Sequence, residues 1–234
     1  MTDALSLDLE TVASQTAEVQ RVRDPWLERR GYGWGASEIA SLLLAYDYRR
    51  EEWADARVYH RDDAAMSRWG VPLCVARKAG LTRGKATSFA MRRGQERERE
   101  LIETWARESG YDDVTLASTA PREWYPLVDR HCPALTATPD AWCRGPSGEH
   151  VVVEAKCTTD HPMRLPWYWR VQVSAQIACM SAACGVLVCG PGWIFDSGAQ
   201  PVSWLIERNE SEIARVRDVA RFAWAVVQSV KERQ

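Results

Sequence analysis

The chain has 234 residues, 46% hydrophobic and 26% charged, with a formal net charge of −2 at pH 7. This is ordinary globular composition, and no apolar run approaches the ~20 residues that a bilayer span needs. The first ten residues carry acids and no basic start, which argues against a secretory signal and predicts a cytoplasmic protein. The seven cysteines form no CxxC pair, which argues against a disulfide framework or a zinc ribbon.

The predicted elements begin with helices, continue with strands and end with a helix. The predicted helices of the first half cover 9–30, the segment after Ser37, 51–67, 69–80 and 87–108. Strands are predicted over 113–119 and 124–129, within 136–157, and over 185–190 and 201–207, with helices over 165–183 and 210–231. This order predicts an α/β (α+β mixed) fold: a central mixed sheet flanked by helices, in one domain over 1–234 with a helical N-terminal part.

Two strands around a Gly/Pro/Ser turn carry charged residues at their ends. Glu154 and Lys156 are two residues apart, so on a strand they point to the same face. Val153 and Ala155 then point to the opposite, apolar face, under a helix. Because Asp140 precedes the turn, a hairpin would bring it beside Glu154. The pattern predicts two acids and a lysine at one edge of the sheet.

Carboxylates from neighbouring strands are ligands that Mg²⁺ prefers, together with waters and substrate phosphate oxygens. A nearby lysine can orient or help deprotonate an attacking water and stabilise charge that grows on a phosphate. The alternative is a surface salt bridge between Glu154 and Lys156, which would contribute little to stability.

A third acid lies on the helix upstream. Glu98 shares a helical face with Leu101, Ile102 and Trp105. A carboxylate on an apolar stripe is costly unless it is paired or bound to a metal. Glu98 is therefore either a further metal ligand or a salt-bridge partner at the edge of the stripe.

Basic residues cluster in one stretch. From Arg77 to Arg93 there are six basic side chains and no acid. Such a stretch in a chain with acids elsewhere suits a protein that holds a polyanion in one place. The alternative is a solvated loop and helix face.

Five motifs, in this order, resemble the bacteriophage lambda exonuclease family, the YqaJ-type viral recombinases of the PD-(D/E)XK nuclease superfamily. They are "DPWLERRGYGWGASEIASLL", "RRGQERE", "TPD", "EAK" and "YWRVQVSAQIACM". The resemblance extends from about residue 22 to residue 230. It implies a restriction-endonuclease-like PD-(D/E)XK core.

The resemblance also implies roles for the acids and the lysine. Glu98, Asp140 and Glu154 match the family's metal-binding acids, and the carbonyl of Ala155 is expected to face the metal. Lys156 matches the lysine that positions the nucleophilic water. The implied cofactor is Mg²⁺, as two ions, for which Mn²⁺ can substitute.

Arg30 and Ser37 match a pair that the family uses around a terminal 5′-phosphate. A helix that begins at Ser37 would also attract an anion, although Ser37 can equally be a plain N-cap and Arg30 a surface arginine. Tyr168, Gln172 and Gln176 form one stripe of a helix. We expect Gln172 to act in catalysis and the other two to line the site; a solvated polar face is the alternative.

The implied function is a Mg²⁺-dependent 5′-to-3′ exonuclease that acts on the ends of linear double-stranded DNA. It would generate 3′ single strands for phage-type recombination in a bacterial host, beside a single-strand annealing protein. The family also implies a homo-oligomeric ring. Two alternatives stay open: a PD-(D/E)XK endonuclease of restriction or repair type, and a non-catalytic DNA-binding module.

Overall fold

A computed structural model describes residues 33–46, 78–79, 89–111, 113–120, 126–158, 164–191 and 201–233. The helices in these ranges are α1 Ala36–Tyr46, α2 Phe89–Ser109, α3 Trp167–Met180 and α4 Glu210–Glu232. The strands are β1 Trp34–Gly35, β2 Thr115–Leu116, β3 Leu127–Asp129, β4 Cys132–Ala137, β5 Ala141–Arg144, β6 His150–Thr158, β7 Cys184–Pro191 and β8 Val202–Glu207. The predicted helices over 9–30 and 51–67, and nearly all of that over 69–80, lie outside the described residues.

The described strands form two mixed sheets, and the larger one is the predicted central mixed sheet. The larger has the order β2-β5-β6-β7-β8, with β6 and β7 parallel and the other pairs antiparallel. The smaller has the order β1-β4-β3, with β1 parallel to β4. The mixed α/β class is confirmed. None of the described helices combines the length and apolar character that a membrane crossing requires.

Strand β6 lies at the centre of the larger sheet and is covered on both faces. Val151, Val152 and Val153 are fully buried, as expected for a central strand with a continuous apolar run. Val153 and Ala155 pack in one apolar cluster with α2, while Val152 packs on the other face with α3 and α4. The predicted alternation of faces along β6 is therefore confirmed, and the even-numbered Glu154 and Lys156 share the α3 side.

Helix α3 lies close to the sheet because β7 carries a glycine beneath it. A Cβ atom at Gly185 would lie 2.4 Å from Cγ1 of Val173 and 2.8 Å from Cγ2 of Val152. Both distances are too short for carbon atoms, so a larger residue would push the helix away. This contact sets the distance between the polar stripe of α3 and β6.

The predicted strand over 113–119 is wrong in length. Only the two residues of β2 pair with β5, and a short 3₁₀ turn, Ala117–Thr119, follows. The Thr119 hydroxyl donates to the carbonyl oxygen of Leu116 at 2.8 Å. Side-chain bonds of this kind compete with a strand ladder and end it.

A buried ion pair joins the smaller sheet to α4. Asp129 is fully buried and accepts hydrogen bonds from Arg217 Nε at 3.2 Å and Nη2 at 2.8 Å, and from the His131 amide at 2.8 Å. Removing one partner of such a pair leaves an uncompensated buried charge.

We therefore expect Arg217→Met to lower the free energy of unfolding by about 3–5 kcal/mol. Arg99→Met is the matched control, because the Arg99–Glu103 pair on α2 is exposed and worth less than about 1 kcal/mol. Urea denaturation of both variants measures the difference. Equal losses in the two variants would contradict a stabilising role for the buried pair.

Candidate active site

The predicted acids and lysine gather where β6 extends beyond β5. The β5–β6 ladder ends at the pair Ala141–Val153, whereas β6 continues to Thr158 beside β7. Asp140 lies just before β5, and its Oδ2 accepts a hydrogen bond from the Ala155 amide at 2.8 Å. Since the N–H and C=O of a strand residue point to the same side, the Ala155 carbonyl faces this edge too.

Glu154 is a nearly buried carboxylate, 2% exposed, that lies between β6 and α3. Its Oε1 accepts hydrogen bonds from Lys156 Nζ and Gln172 Nε2, and its Oε2 accepts one from Gln176 Nε2. A carboxylate has about four lone-pair positions, so these three donors leave one position open, on Oε2. The predicted stripe of Gln172 and Gln176 therefore faces the acid and not solvent.

Glu98 approaches the same edge from α2, on the opposite face of the sheet. The side chain is half-buried, next in sequence to the buried turn that holds Leu101 and Ile102. Burial raises the pKa of Glu98, the charge of Glu154 raises it further, and Lys156 opposes both. Glu98 thus lies within electrostatic reach of the two β6 side chains.

The cluster holds more negative than positive charge. Burial, followed by the charges of Glu154 and Glu98, raises the pKa of Asp140 well above its usual value, although Lys156 and the Ala155 amide oppose the shift. Burial alone would lower the pKa of Lys156, but the carboxylates of Glu154 and Asp140 outweigh it and raise this pKa. Lys156 therefore stays protonated at neutral pH, and three acids surround one cation.

The donor set fits a hard divalent cation. Asp140, the open Oε2 position of Glu154 and the Ala155 carbonyl would supply oxygen ligands at one edge. No three His, Cys, Asp or Glu side chains in the described ranges lie close enough together to hold one ion. Mg²⁺ can be held by one or two carboxylates, with waters and substrate phosphate to complete its shell. Direct ligation by Glu98 remains a prediction.

A pocket connects Asp140 to the start of α1. Its volume is about 220 Å³, and Ser37, Asp140, Gln172 and Gln176 are among the residues that line it. Helix α1 begins at Ala36, two residues before the predicted start after Ser37, so Ser37 lies in the first turn and is not the N-cap. Arg30, the other predicted phosphate ligand, lies outside the described residues.

The sequence analysis missed two threonines of this pocket, Thr136 and Thr138. Both precede Asp140 in "TATPD" at alternate positions, and this two-residue spacing indicates that they share one face of the strand. Tyr168 does not line the pocket; its hydroxyl donates to the Ser37 carbonyl at 3.0 Å and so joins α3 to α1.

The carboxylate of Glu38 lies at the start of α1. The Gly35 amide donates to Glu38 Oε2 at 2.8 Å, and Lys78 Nζ lies 3.1 Å from the same oxygen. Lys78 belongs to the predicted basic stretch 77–93, and the side chains of the other basic residues of that stretch lie outside the described residues. A polyanion surface there remains a prediction.

Comparisons with solved structures identify the fold. The chain superposes on an alkaline exonuclease (LHK-Exo) from Laribacter hongkongensis with a TM-score of 0.62 and 18% identity, over 90% of this chain and 95% of that one. LHK-Exo in complex with dAMP gives the same score and identity, over 89% and 93%. No protein-family model and no curated protein matches the sequence. The likeness confirms the expected nuclease-type fold, and at this identity it establishes the fold alone.

The raised pKa of Asp140 predicts how stability depends on pH without metal. A carboxyl whose pKa is higher in the folded state stabilises the fold below its unfolded pKa of ~4, and this stabilisation is lost as pH rises through the folded pKa. Asp140→Asn keeps an acceptor for the Ala155 amide but cannot ionise. In EDTA we expect it to be more stable than the wild type at pH 8 and no more stable at pH 4.

Asp218→Asn is the control, since Asp218 is exposed and pairs with Arg221 on the surface of α4. Thermal unfolding of all three proteins across pH 4–9 measures the effect. If the stability difference between Asp140→Asn and the wild type is the same at every pH, the raised pKa of Asp140 would be contradicted.

Proposed function

We propose that this chain is a metal-dependent deoxyribonuclease that degrades linear double-stranded DNA from its ends, in the 5′-to-3′ direction. The observation that carries the proposal is the cluster at the open edge of β6. There Asp140 lines a pocket that extends to the first turn of a helix, and Glu154 binds two further residues of its lining, Gln172 and Gln176. Lys156 also contacts Glu154. Phosphodiester hydrolysis needs a site for the anionic substrate, oxygen ligands for a metal ion and a fixed positive charge, and this edge of the sheet offers all three.

In this proposal Asp140, Glu154 and the Ala155 carbonyl would hold Mg²⁺, and Glu98 would add negative charge from the other face of the sheet. The ion would supply positive charge against the scissile phosphate and a more acidic water. Because its pKa is raised, Lys156 keeps its proton. It therefore orients the attacking water and the phosphate by charge, and does not act as a base.

The start of α1 gives the proposed enzyme its preference for ends. The first N–H groups of a helix have no acceptor within the helix, and the helix dipole favours an anion beside them. Ser37 lies in this turn and lines the same pocket as Asp140. A terminal 5′-phosphate bound there would place the next phosphodiester toward the acids, which gives 5′-to-3′ polarity. Arg30 would add a bidentate contact.

The family resemblance supports further parts of the proposal. These are two Mg²⁺ ions with Mn²⁺ as a substitute, formation of 3′ single strands for phage-type recombination, a single-strand annealing partner, and a homo-oligomeric ring around DNA in the cytoplasm of a bacterial host.

The direct test is digestion of one DNA sequence as a linear duplex and as a covalently closed circle, with Mg²⁺ or with EDTA. The proposal expects nucleotide release from the linear form alone, and only with Mg²⁺. Cleavage of the circle would identify an endonuclease. DNA binding without hydrolysis of either form would identify a binding module.

Lys156→Met should lower kcat by ~10²–10³, the usual cost of removing one group that stabilises developing charge. Glu98→Gln should also lower kcat and weaken the dependence on Mg²⁺. Glu103→Gln is the matched control, because Glu103 is an exposed acid on the same helix. Steady-state rates on a linear duplex measure these effects, and wild-type turnover by Lys156→Met would refute the site.

Ser37→Ala should reduce the rate on 5′-phosphorylated ends relative to 5′-hydroxyl ends by roughly tenfold, the value of one hydrogen bond to a charged group. Ser41→Ala, one turn further along α1, is the control. The ratio of the two rates is measured for each variant, and an unchanged ratio in Ser37→Ala would argue against a phosphate contact at this residue.

A further inference from the structure

Helix α1 begins with half of a capping box. Gly35 precedes the helix, and its amide donates to Oε2 of Glu38, the third helical residue, at 2.8 Å. In a full capping box the side chain of the preceding residue accepts in turn from an amide of the first turn, and glycine has no side chain to do so. The N–H groups of this turn therefore have no acceptor in the helix or in the residue before it. Ala36 and Ser37 of the turn line the pocket, as Gly35 does.

The carboxylate of Glu38 opposes the binding of an anion in that pocket. A negative charge in the first turn of a helix interacts with the positive end of the helix dipole and offsets part of its attraction for a ligand. It also repels a phosphate at the neighbouring N–H groups by Coulomb interaction. A phosphate site at this turn therefore requires a charge that compensates Glu38.

Lys78 supplies the compensating charge. Its Nζ lies 3.1 Å from Oε2 of Glu38, the oxygen that accepts from Gly35. The same Nζ lies over the ring of Trp34, 5.7 Å from its centroid, and Trp34 is fully buried. An indole face attracts a cation at this distance. Because the Lys78 side chain is only 9% exposed, its charge is held between the acid and the ring.

Lys78 acts from outside the pocket. Neither Lys78 nor Glu38 is among the described residues that line it. The ring that Lys78 covers is itself held by Trp224 of α4, which meets Trp34 edge to face with the centroids 6.4 Å apart. Lys78 is thus fixed by contacts with protein groups, and its effect on a ligand in the pocket passes through Glu38.

We propose that Lys78 is a positioning residue that sets the affinity of the pocket for an anion through Glu38. Its charge cancels that of Glu38, so a phosphate at the first turn of α1 meets N–H groups and no net negative charge. This inference deepens the proposed function and rests on it, because the anion is the terminal 5′-phosphate of DNA. It assigns opposite effects to the two partners: loss of the cation weakens phosphate binding, and loss of the acid strengthens it.

The experiment measures binding without hydrolysis. Two short duplexes of one sequence, with 5′-phosphate or 5′-hydroxyl ends, are titrated with protein in EDTA, and fluorescence anisotropy gives a Kd for each. The Kd for hydroxyl ends divided by the Kd for phosphate ends isolates the phosphate contribution. Lys78→Met should lower this ratio and Glu38→Gln should raise it, each by up to about fivefold, the size of a partly exposed charge interaction. The double variant, which loses one charge of each sign, should return to the wild-type ratio.

Glu103→Gln is the control, because it removes one negative charge from an exposed ion pair on α2, on the other face of the larger sheet. Its ratio should equal that of the wild type. Thermal midpoints are recorded so that binding is compared only where each variant is folded. If Lys78→Met does not fold, the rise expected in Glu38→Gln still tests the sign.

A purely structural role for the pair predicts a different result. Loss of either partner would then weaken phosphate binding, and the double variant would bind no better than the single ones. A ratio that falls or stays constant in Glu38→Gln would overturn the inference, as would a double variant that stays at the level of Lys78→Met.

The same proteins separate this inference from the proposed function. Opposite shifts in the two single variants of a protein that does not hydrolyse DNA with Mg²⁺ would refute the nuclease and leave the role of Lys78 standing. Mg²⁺-dependent hydrolysis of linear DNA, with equal losses of phosphate preference in both variants, would refute the role of Lys78 and leave the nuclease standing.

Discussion

The site depends on one buried carboxylate, that of Glu154. A carboxylate that is 2% exposed is stable only if its charge is compensated, and three donors from two elements provide this: Lys156 on β6, and Gln172 and Gln176 on α3. Because two of the three donors lie on a helix and the acceptor lies on a strand, the site requires α3 to keep its position against the sheet. The close contact at Gly185 allows that position.

The same arrangement of acids would be stabilised by a bound cation. Asp140 and Glu98 are brought toward Glu154 from different elements, and the single lysine does not neutralise all three acids. Burial raises the pKa values of Asp140 and Glu98, and the charge of Glu154 adds to the rise at Asp140. The fold therefore holds the acids at an energetic cost that a bound divalent ion would offset, a usual condition of functional sites. A cation bound at the open Oε2 position of Glu154 would offset part of this energetic cost.

Much of this geometry could be predicted from local sequence rules. The two-residue spacing of Glu154 and Lys156 predicted a shared face, and the apolar stripe around Glu98 predicted a carboxylate that turns inward. Contacts between distant parts of the chain could not be predicted: the Asp129–Arg217 pair spans 88 residues, and β1 pairs with β4 across about 100 residues. The hydrogen bond from Gln176 to Glu154 also required side-chain coordinates, because helical spacing gives the face of a glutamine and not the direction of its amide.

The central claim is that the acids at the open edge of β6 bind a divalent cation. The most direct measurement is the thermal midpoint of the protein against Mg²⁺ concentration at pH 8, for the wild type and for Asp140→Asn. Binding to the folded state alone stabilises it by RT ln(1 + [Mg²⁺]/Kd), so the wild-type midpoint should rise steadily with Mg²⁺ and that of Asp140→Asn should stay nearly constant. An equal rise in both proteins, or no rise in the wild type, would contradict the account.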